Sequence, residues 1–552
     1  MEAYYNLNTG EISLSSNEII KTIKLNGEDI ENTTNEKTLK FVAEKPKSNL
    51  IEVNGKEIAI KFVKLKISYQ PIIESRNLDG LNLIKLVNNP YITKYKLTGK
   101  GMKVGIVDGG MVYKHYEFSN NNRVKFSQTT RTDSHSTHVC GTITAFGYNK
   151  RASGVTKETN IYSYTFNDHI SSLNSCAKGG INATNNSYGF SLGWNYNNYF
   201  TGFTYEFYVA NYKNGTLEEP FFGKYSSYSA DLDSISNKYP NFVMCFAAGN
   251  DREDKYTSGN WYISKNNGTW VAMDPKIYPP PKRDGDYDCI DTLACAKNII
   301  TVGATIDNSS ITTTFSSWGP TDDLRIKPEV VANGNIVFST TNTGFKRYTS
   351  MSGTSMATPF ATGSCILIQQ FISNNLKYFP LSSTTKAALI QGTNNKIING
   401  KNGFGLINML NTLKFLEDVL LKKSILIEAT IGQDYVYVYD NVQTLTATLC
   451  WNDPVGKITG QTDINNPLQS ITNKLGLYVE NNGVFYYPFR IEKKELDAVQ
   501  KTSTTFNQSL LVSHDNTQKI IIENLTGTSK VYVRNISSNI NQKFSLCISP
   551  SF

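Results

Sequence analysis

The sequence predicts an α/β protein: a parallel sheet layered between helices, preceded by a β-rich extension and followed by an antiparallel β-sandwich. Three observations predict this. In the middle of the chain, short β-branched runs (KVGIVD, NIYSYTF, NFVMCFAAGN, NIITVGATI) alternate with longer helix-compatible stretches, the pattern of βαβ units in a three-layer domain. After about residue 425 the helical signal disappears, and runs such as ILIEATI, YVYVYD, TLTATLCW, KIIIENL and KVYVRNI recur between Asn, Gly and Asp, as in a sandwich. Before about residue 95 the chain is rich in Lys, Asn and Glu, with short alternating runs (LKFVAE, EIAIKFVKLKI) parted by turn signals such as Asn54-Gly55.

Taken in order, the expected divisions are a β-rich extension over 1–95, an α/β domain over 96–420 and a sandwich over 425–552. The chain has 552 residues, 39% of them hydrophobic and 18% charged. That is length for about three domains, in a composition that excludes disordered, collagen-like and coiled-coil chains. No apolar run reaches the roughly 18 residues of a membrane span, so none is expected. A net charge of +8 without a basic block does not mark a nucleic-acid binder. Within the α/β region helices are expected from about Thr354 to Phe371 and from Ser383 to Gln391.

Eight cysteines are too few for a disulfide scaffold. Cys140, Cys176, Cys245 and Cys365 read as buried thiols, and Cys289 with Cys295 as either a local disulfide or two unpaired thiols. The opening MEAYYNLNTG shows neither basic start nor apolar run, so no secretory leader is visible. The chain is expected to be secreted after loss of a leader or, alternatively, to be cytoplasmic.

Four short motifs carry the chemistry. VGIVDGG ends an apolar strand in Asp108; alone, such an Asp caps a loop. DSHSTHVCGT puts His135 and His138 three residues apart at a helix start, where they could share a side, but no further metal ligand stands nearby. MCFAAGN runs a strand into a turn at Gly249 and Asn250, and SMSGTSMATP sets Ser355 at a helix opening, the usual place of an N-cap. Their joint occurrence changes these readings. A nucleophilic serine needs a base for its proton, a carboxylate to fix the base's tautomer, and donors for the oxyanion. Asp108, His135, Asn250 and Ser355 supply those parts, in the chain order Asp, His, Ser.

On these residues the chain resembles the subtilases, the subtilisin-like serine proteases. VGIVDGG, HSTHVCGT and GTSMATP resemble the family's Asp, His and Ser motifs, NNSYG (Asn185 to Gly189) its substrate-binding strand and GFGLIN its closing segment. The resemblance covers about residues 90 to 415. It extends through TLTATLCWNDP and QKFSL to the jelly-roll-like C-terminal sandwich of certain alkaline subtilases. It implies a serine endopeptidase acting on protein or peptide substrates through an acyl-enzyme. Asp108, His135 and Ser355 would form the triad and Asn250 the oxyanion hole. Ser187, Tyr188 and Gly189 would pair with the substrate's main chain, and Ala247, Ala248 and Gly249 would wall its first pocket. The opposite wall is expected within 255–300. No cofactor is required for the chemistry; structural calcium is open, although Lys474 and Gly476 stand where the sandwich often carries paired aspartates. Gly109 after Asp108 and Ser136 after His135 depart from the family's Ser or Thr and Gly. The alternative function is a binding or scaffolding protein disabled by those changes.

Three smaller signals complete the reading. The aromatic run of Trp194, Tyr196, Tyr199, Phe200, Phe203, Tyr205, Phe207 and Tyr208 is either a cleft rim or a self-packed insertion. Asp284, Asp286, Asp288 and Asp291 are expected as a solvated acidic loop, with calcium binding as the alternative. The N-terminal extension is either an inhibitory propeptide or a permanent appendage.

Overall fold

The computed structural model describes residues 2–6, 11–15, 22–25, 28–30, 38–42, 50–54, 56–63 and 76–551, the last apart from 120–121, 127–130, 191, 198–201, 207–218, 259–260, 265–269, 278–279, 281–285, 307–309, 394–396, 460–464, 495–496, 512–513 and 538–540. The chain divides into two compact units, Met1–Ile73 and Glu74–Phe552. The first holds a seven-stranded sheet in the order Glu28–Ile30, Ile23–Leu25, Leu50–Val53, Lys56–Val63, Glu2–Asn6, Glu11–Ser15, Thr38–Val42. Its pairings are antiparallel except Glu2–Asn6 with Lys56–Val63.

The second unit is built on seven parallel strands: β1 (Lys103–Asp108), β2 (Val124–Phe126), β3 (Asn160–Thr165), β4 (Ala183–Asn186), β5 (Val243–Ala247), β6 (Ile300–Thr305) and β7 (Val330–Asn333), in the order β7-β6-β5-β4-β1-β3-β2. Helices α1 (Ser134–Thr144), α2 (His169–Lys178), α3 (Ser227–Lys238), α4 (Thr354–Phe371), α5 (Ser382–Gln391) and α6 (Met409–Leu420) cover it. The strands read as unbroken apolar runs because both faces are buried. Alternate side chains go to opposite cores. Val104 and Ile106 of β1 and Val243 and Cys245 of β5 join Val139 and Ile143 of α1 and Phe360 and Ile366 of α4. Val107, Met244 and Phe246 point the other way, onto Leu173 of α2 and Leu232 and Ile235 of α3. Strand order reverses at β1, which lies between β3 and β4, and the crevice beyond the carboxyl ends of such strands is where α/β folds place their sites.

The C-terminal part forms two antiparallel sheets. One orders its strands Ile425–Ile431, Gln542–Ser551, Thr444–Cys450, Thr517–Ile522; the other Tyr435–Asp440, Thr528–Asn535, Leu475–Asn481, Val484–Arg490, Val499–Ser503. First pairs with last, second with second-to-last and third with third-to-last, the nesting of a jelly roll. Trp451, Leu477, Val531 and Leu546 fill its core. A fully buried polar seam joins it to the α/β layers. Lys297 Nζ lies 3.2 Å from Asp233 and 3.3 Å from Asp453 and donates to the carbonyls of Pro454 and Ser470 at 2.9 and 3.0 Å.

All eight cysteines are free and buried, Cys289 and Cys295 among them. No described helix is long and apolar enough to cross a membrane. Two stretches the sequence left separate come together: Gly193–Asn197, Gly202–Glu206, Trp261–Ser264 and Trp270–Met273 make one four-stranded sheet. Trp194 is buried there, edge-on to Trp261 at 5.7 Å; the side chains of the other named aromatics lie outside the described residues. The acidic loop is solvated only in part: Asp286 is exposed and 3.3 Å from Arg252, whereas Asp288 and Asp291 are buried, Asp288 against Lys494 and Asp291 with its carboxylate on the backbone N–H groups of Phe190 and Leu293; Asp284 lies outside the described residues. Among the described residues no three His, Cys, Asp or Glu side chains group as metal ligands do.

Candidate active site

Each chemistry-bearing side chain sits where local structure fixes it. Asp108 is the last residue of β1 and almost fully buried. Its Oδ1 accepts the Gly109 N–H at 2.7 Å. His135 occupies the first turn of α1, whose N-cap, Asp133, accepts the backbone N–H of His135 at 2.7 Å. His135 Nδ1 lies 2.9 and 3.0 Å from the two Asp108 oxygens. That contact sets the tautomer: Nδ1 carries the proton and Nε2 is free to accept one. Burial alone would push the imidazole down, but the hydrogen bond and charge of Asp108, with the charge of Asp133, outweigh it and raise His135 above its ordinary value.

Ser355 is the second residue of α4, behind Gly353 at φ 152°, a conformation that side-chain-bearing residues rarely adopt. A β-carbon there would also stand 3.5 Å from Asn250 Nδ2. Helix starts leave their first N–H groups without partners. Asn250 Oδ1 takes that of Thr354 at 2.9 Å and the Thr354 hydroxyl at 3.0 Å. With its oxygen so held, the Asn250 amide keeps Nδ2 as its donor; that atom and the Ser355 nitrogen lie 3.5 and 3.6 Å from the β-carbon position of Gly353.

Pro359 explains a further part of the GTSMATP motif. It stands inside α4, and having no N–H it leaves the carbonyl four residues back unclaimed. That carbonyl belongs to Ser355, and the Ser187 hydroxyl donates to it at 2.9 Å. In return, the Ser355 hydroxyl donates to the Ser187 carbonyl at 3.1 Å. The two serines thus lock the helix start to the segment after β4. In this state the Ser355 hydroxyl is spent on Ser187 and makes no hydrogen bond to His135.

Of the remaining predicted residues, Gly189 is exposed, Tyr188 half-buried and Ser187 buried. Ala247 is nearly buried and Ala248 wholly so, with both backbone groups engaged, its N–H on Val302 and its carbonyl on Asp291. Gly249 adopts φ 110°, and a β-carbon there would come within 2.7 Å of Asp251 and Ser317. His138 is not paired with His135. It is fully buried with Nε2 on the Val337 carbonyl at 2.9 Å, and burial lowers it to about 4, so it is a neutral core residue.

The two departures from the family pattern fit locally. Ser136 is buried and its hydroxyl donates to the carbonyls of Met111 and Asp133 at 3.0 and 3.1 Å. A β-carbon on Gly109 would meet Phe166 at an ordinary 3.4 Å, so glycine is not sterically required there. Sequence reasoning missed Asp291, which lies against Gly189 and Ala248; its only signal was membership of an acidic loop.

A strand-ending carboxylate, a helix-borne imidazole bound to it and a serine at a helix start are thus carried by a parallel α/β sheet of the subtilisin kind. Residues 99–405, more than half of the chain, match the subtilase family, and the chain belongs to that family. It is similar to the PII-type proteinase of Lactococcus lactis subsp. cremoris, 47% identical over 60 residues that make up 11% of this chain and 3% of that protein. It is also similar to subtilisin DY of Bacillus licheniformis, 27% identical over 295 residues, 52% of this chain and 83% of that one. The match thus spans only a small part of the lactococcal proteinase. Among solved structures, the self-cleaved protease domain of PatA aligns at TM-score 0.40 and 17% identity over 58% of this chain and 98% of that one. The prenylagaramide maturation protease PagA aligns at TM-score 0.40 and 16% identity, over 59% and 98%.

Proposed function

We propose that the chain is a serine endopeptidase that cleaves proteins or peptides through an acyl-enzyme. The observation that carries this reading is the Asp108–His135 contact at 2.9 Å, which leaves Nε2 as a free base that Ser355 and the Asn250 amide would complete. Substrate main chain would lie along Ser187, Tyr188 and Gly189. A substrate N–H taking the Ser187 carbonyl releases the Ser355 hydroxyl, which rotates to His135. Ser355 Oγ then attacks the scissile carbonyl carbon while its proton passes to His135 Nε2. The imidazolium is stabilised by Asp108, and the oxyanion by Asn250 Nδ2 and the Ser355 N–H at the helix start. Collapse breaks the C–N bond, and the amine leaves with the proton from His135. Water repeats the sequence on the ester, delivering its proton to His135 and freeing Ser355.

The direct test is labelling of the folded protein with a fluorophosphonate: modification at Ser355 is expected, and an unlabelled folded protein would end the proposal. Asn250→Ala should lower kcat by about 10²–10³ with little change in KM, the magnitude known for the equivalent donor of subtilisin. Because His135 must be neutral to accept a proton and is held above the ordinary 6.5, the acid limb of kcat/KM should have its midpoint above that value. Activity falls as pH drops through the limb. A pH–rate profile with a midpoint below 6.5 would contradict the assignment.

A further inference from the structure

We infer that the aromatic face made by Tyr116, Phe146, Tyr148 and Phe345 is an exosite that binds an acidic stretch of a polypeptide substrate, away from the bond being cleaved. The inference rests on the endopeptidase reading for one point, that the bound polypeptide is substrate.

Three chain segments build the face: 113–119 after β1, 145–151 after α1, and 342–348 at the tip of the hairpin formed by Val337–Thr340 and Tyr348–Met351. Their rings touch in a row. The centroids of Phe146 and Tyr148 are 4.8 Å apart, those of Tyr148 and Tyr116 4.5 Å, and those of Tyr116 and Phe345 5.7 Å. Even so, Phe146, Tyr148 and Phe345 stay 38%, 44% and 51% exposed. Contiguous apolar surface kept open to water marks interaction sites. The face is also held in shape. Buried Glu117 accepts the N–H groups of Gly147, Tyr148 and Asn149 at 2.7, 3.1 and 2.8 Å and the Tyr348 hydroxyl at 2.8 Å. The Tyr116 N–H donates to the Phe345 carbonyl at 2.8 Å. A surface preformed in this way loses little freedom on binding.

Charge points to the partner. Five basic side chains of these segments, Lys114, Lys150, Arg151, Lys346 and Arg347, are exposed, whereas their one acid, Glu117, is wholly buried. Lys346 Nζ lies over the Tyr116 ring at 4.4 Å. Such a rim is complementary to an anionic ligand. Half-covered as they are, the rings offer a plane to lie on rather than tips that sink the roughly 5–10 Å of an interfacial anchor, which favours a polypeptide over a lipid surface. The face also belongs to the two elements that carry the chemistry. His135 stands at the start of α1 and Phe146 just past its end. The strand Tyr348–Met351 leads on to Ser355, and the hydroxyls of Ser134 and Thr341 meet at 2.7 Å.

The first test uses the full chain carrying Ser355→Ala, so that the probe stays intact, and a fluorescent random copolymer of glutamate and tyrosine. Anisotropy should show binding that weakens as salt is added. Lys346→Glu with Arg347→Glu should weaken it about tenfold or more. The matched reversal of two exposed lysines on α2 and α3, Lys178→Glu with Lys238→Glu, should leave it within about twofold. The second test uses the active chain and one peptide, with or without an acidic tail on a Gly/Ser linker of about ten residues. α1 has 11 residues, a length of about 16 Å, and such a linker spans about 17 Å. The tail should lower KM about tenfold with kcat unchanged, and Lys346→Glu with Arg347→Glu should erase the difference between the two peptides. Absence of binding, equal binding by the two charge-reversed proteins, or tighter binding of phosphatidylserine vesicles or single-stranded DNA than of the copolymer overturns the inference. So does a tail that leaves KM unchanged. Fluorophosphonate labelling keeps the levels apart: a labelled enzyme that does not bind the copolymer sinks only the exosite, and a folded protein that binds it but is not labelled sinks the hydrolase reading and, with it, the substrate assignment.

Discussion

Ser355→Ala should leave a folded protein that neither reacts with a fluorophosphonate nor cleaves peptides above a small residue, with turnover down by roughly 10⁶, the size known for the subtilisin triad. The structure gives the reason the fold should survive. Among the described residues the Ser355 hydroxyl makes a single hydrogen bond, to the Ser187 carbonyl, and α4 is otherwise anchored by Asn250 on the Thr354 N–H, the Ser187 hydroxyl on the Ser355 carbonyl, and buried Phe360, Ile366 and Phe371. Circular dichroism and thermal unfolding should match wild type within about 1 kcal/mol. Substantial peptide hydrolysis by the variant, insensitive to serine-directed reagents, would show that the chemistry lies elsewhere. The same variant also tests the N-terminal extension. If the wild type loses residues near its start and Ser355→Ala keeps them, the extension is removed by the protein's own activity.

Lys297→Met should cost about 3–5 kcal/mol of stability, because it breaks a buried ion cluster by removing one partner. The ammonium is fully buried between Asp233 and Asp453 and also donates to Tyr225, Pro454 and Ser470. Methionine keeps the volume but leaves two carboxylates facing each other in the seam. The loss should depend on pH. Burial already holds Asp453 above its ordinary value, and the Lys297 charge is the first opposing influence; removing it drives the folded-state pKa higher still. A carboxylate whose folded pKa exceeds its unfolded one destabilises fully above the folded value, and that penalty fades as pH falls toward the unfolded value. Urea melts of variant and wild type should therefore converge on acidification. A constant difference across pH, or one below about 1 kcal/mol, would contradict this account. Adding Asp453→Asn should restore part of the lost stability.

What could be read from the sequence follows from how local its causes are. Asp108, His135, Asn250 and Ser355 were legible because each lies at a strand or helix end with its own signature: an apolar run into Asp, an Asp-capped helix start, a strand into Gly-Asn, a glycine before a small-residue helix. The boundary at Thr354–Phe371 was equally local. Other features depend on contacts that spacing cannot show. The reciprocal Ser187–Ser355 bonds span 168 positions, so nothing in GTSMATP revealed why its proline matters. Asp291 read as part of a wet acidic loop, because only the folded chain brings it against Gly189 and Ala248. Spacing alone set His138 one turn from His135, and its actual acceptor, the Val337 carbonyl of the hairpin strand Val337–Thr340, lies 199 positions away.

The nesting of the jelly roll has a practical consequence. Residues 542–551 do not edge their sheet. They run between Ile425–Ile431 and Thr444–Cys450, with Phe544, Leu546 and Ile548 among the buried side chains, and Ser545 reaches back to Ser383 and Thr384 of α5 at 2.8 Å. Cutting the chain ahead of residue 542 would expose two strand flanks and a layer of core at once. The keystone of the sandwich is thus the strand laid last, and engineered tags or shortened versions must leave it whole.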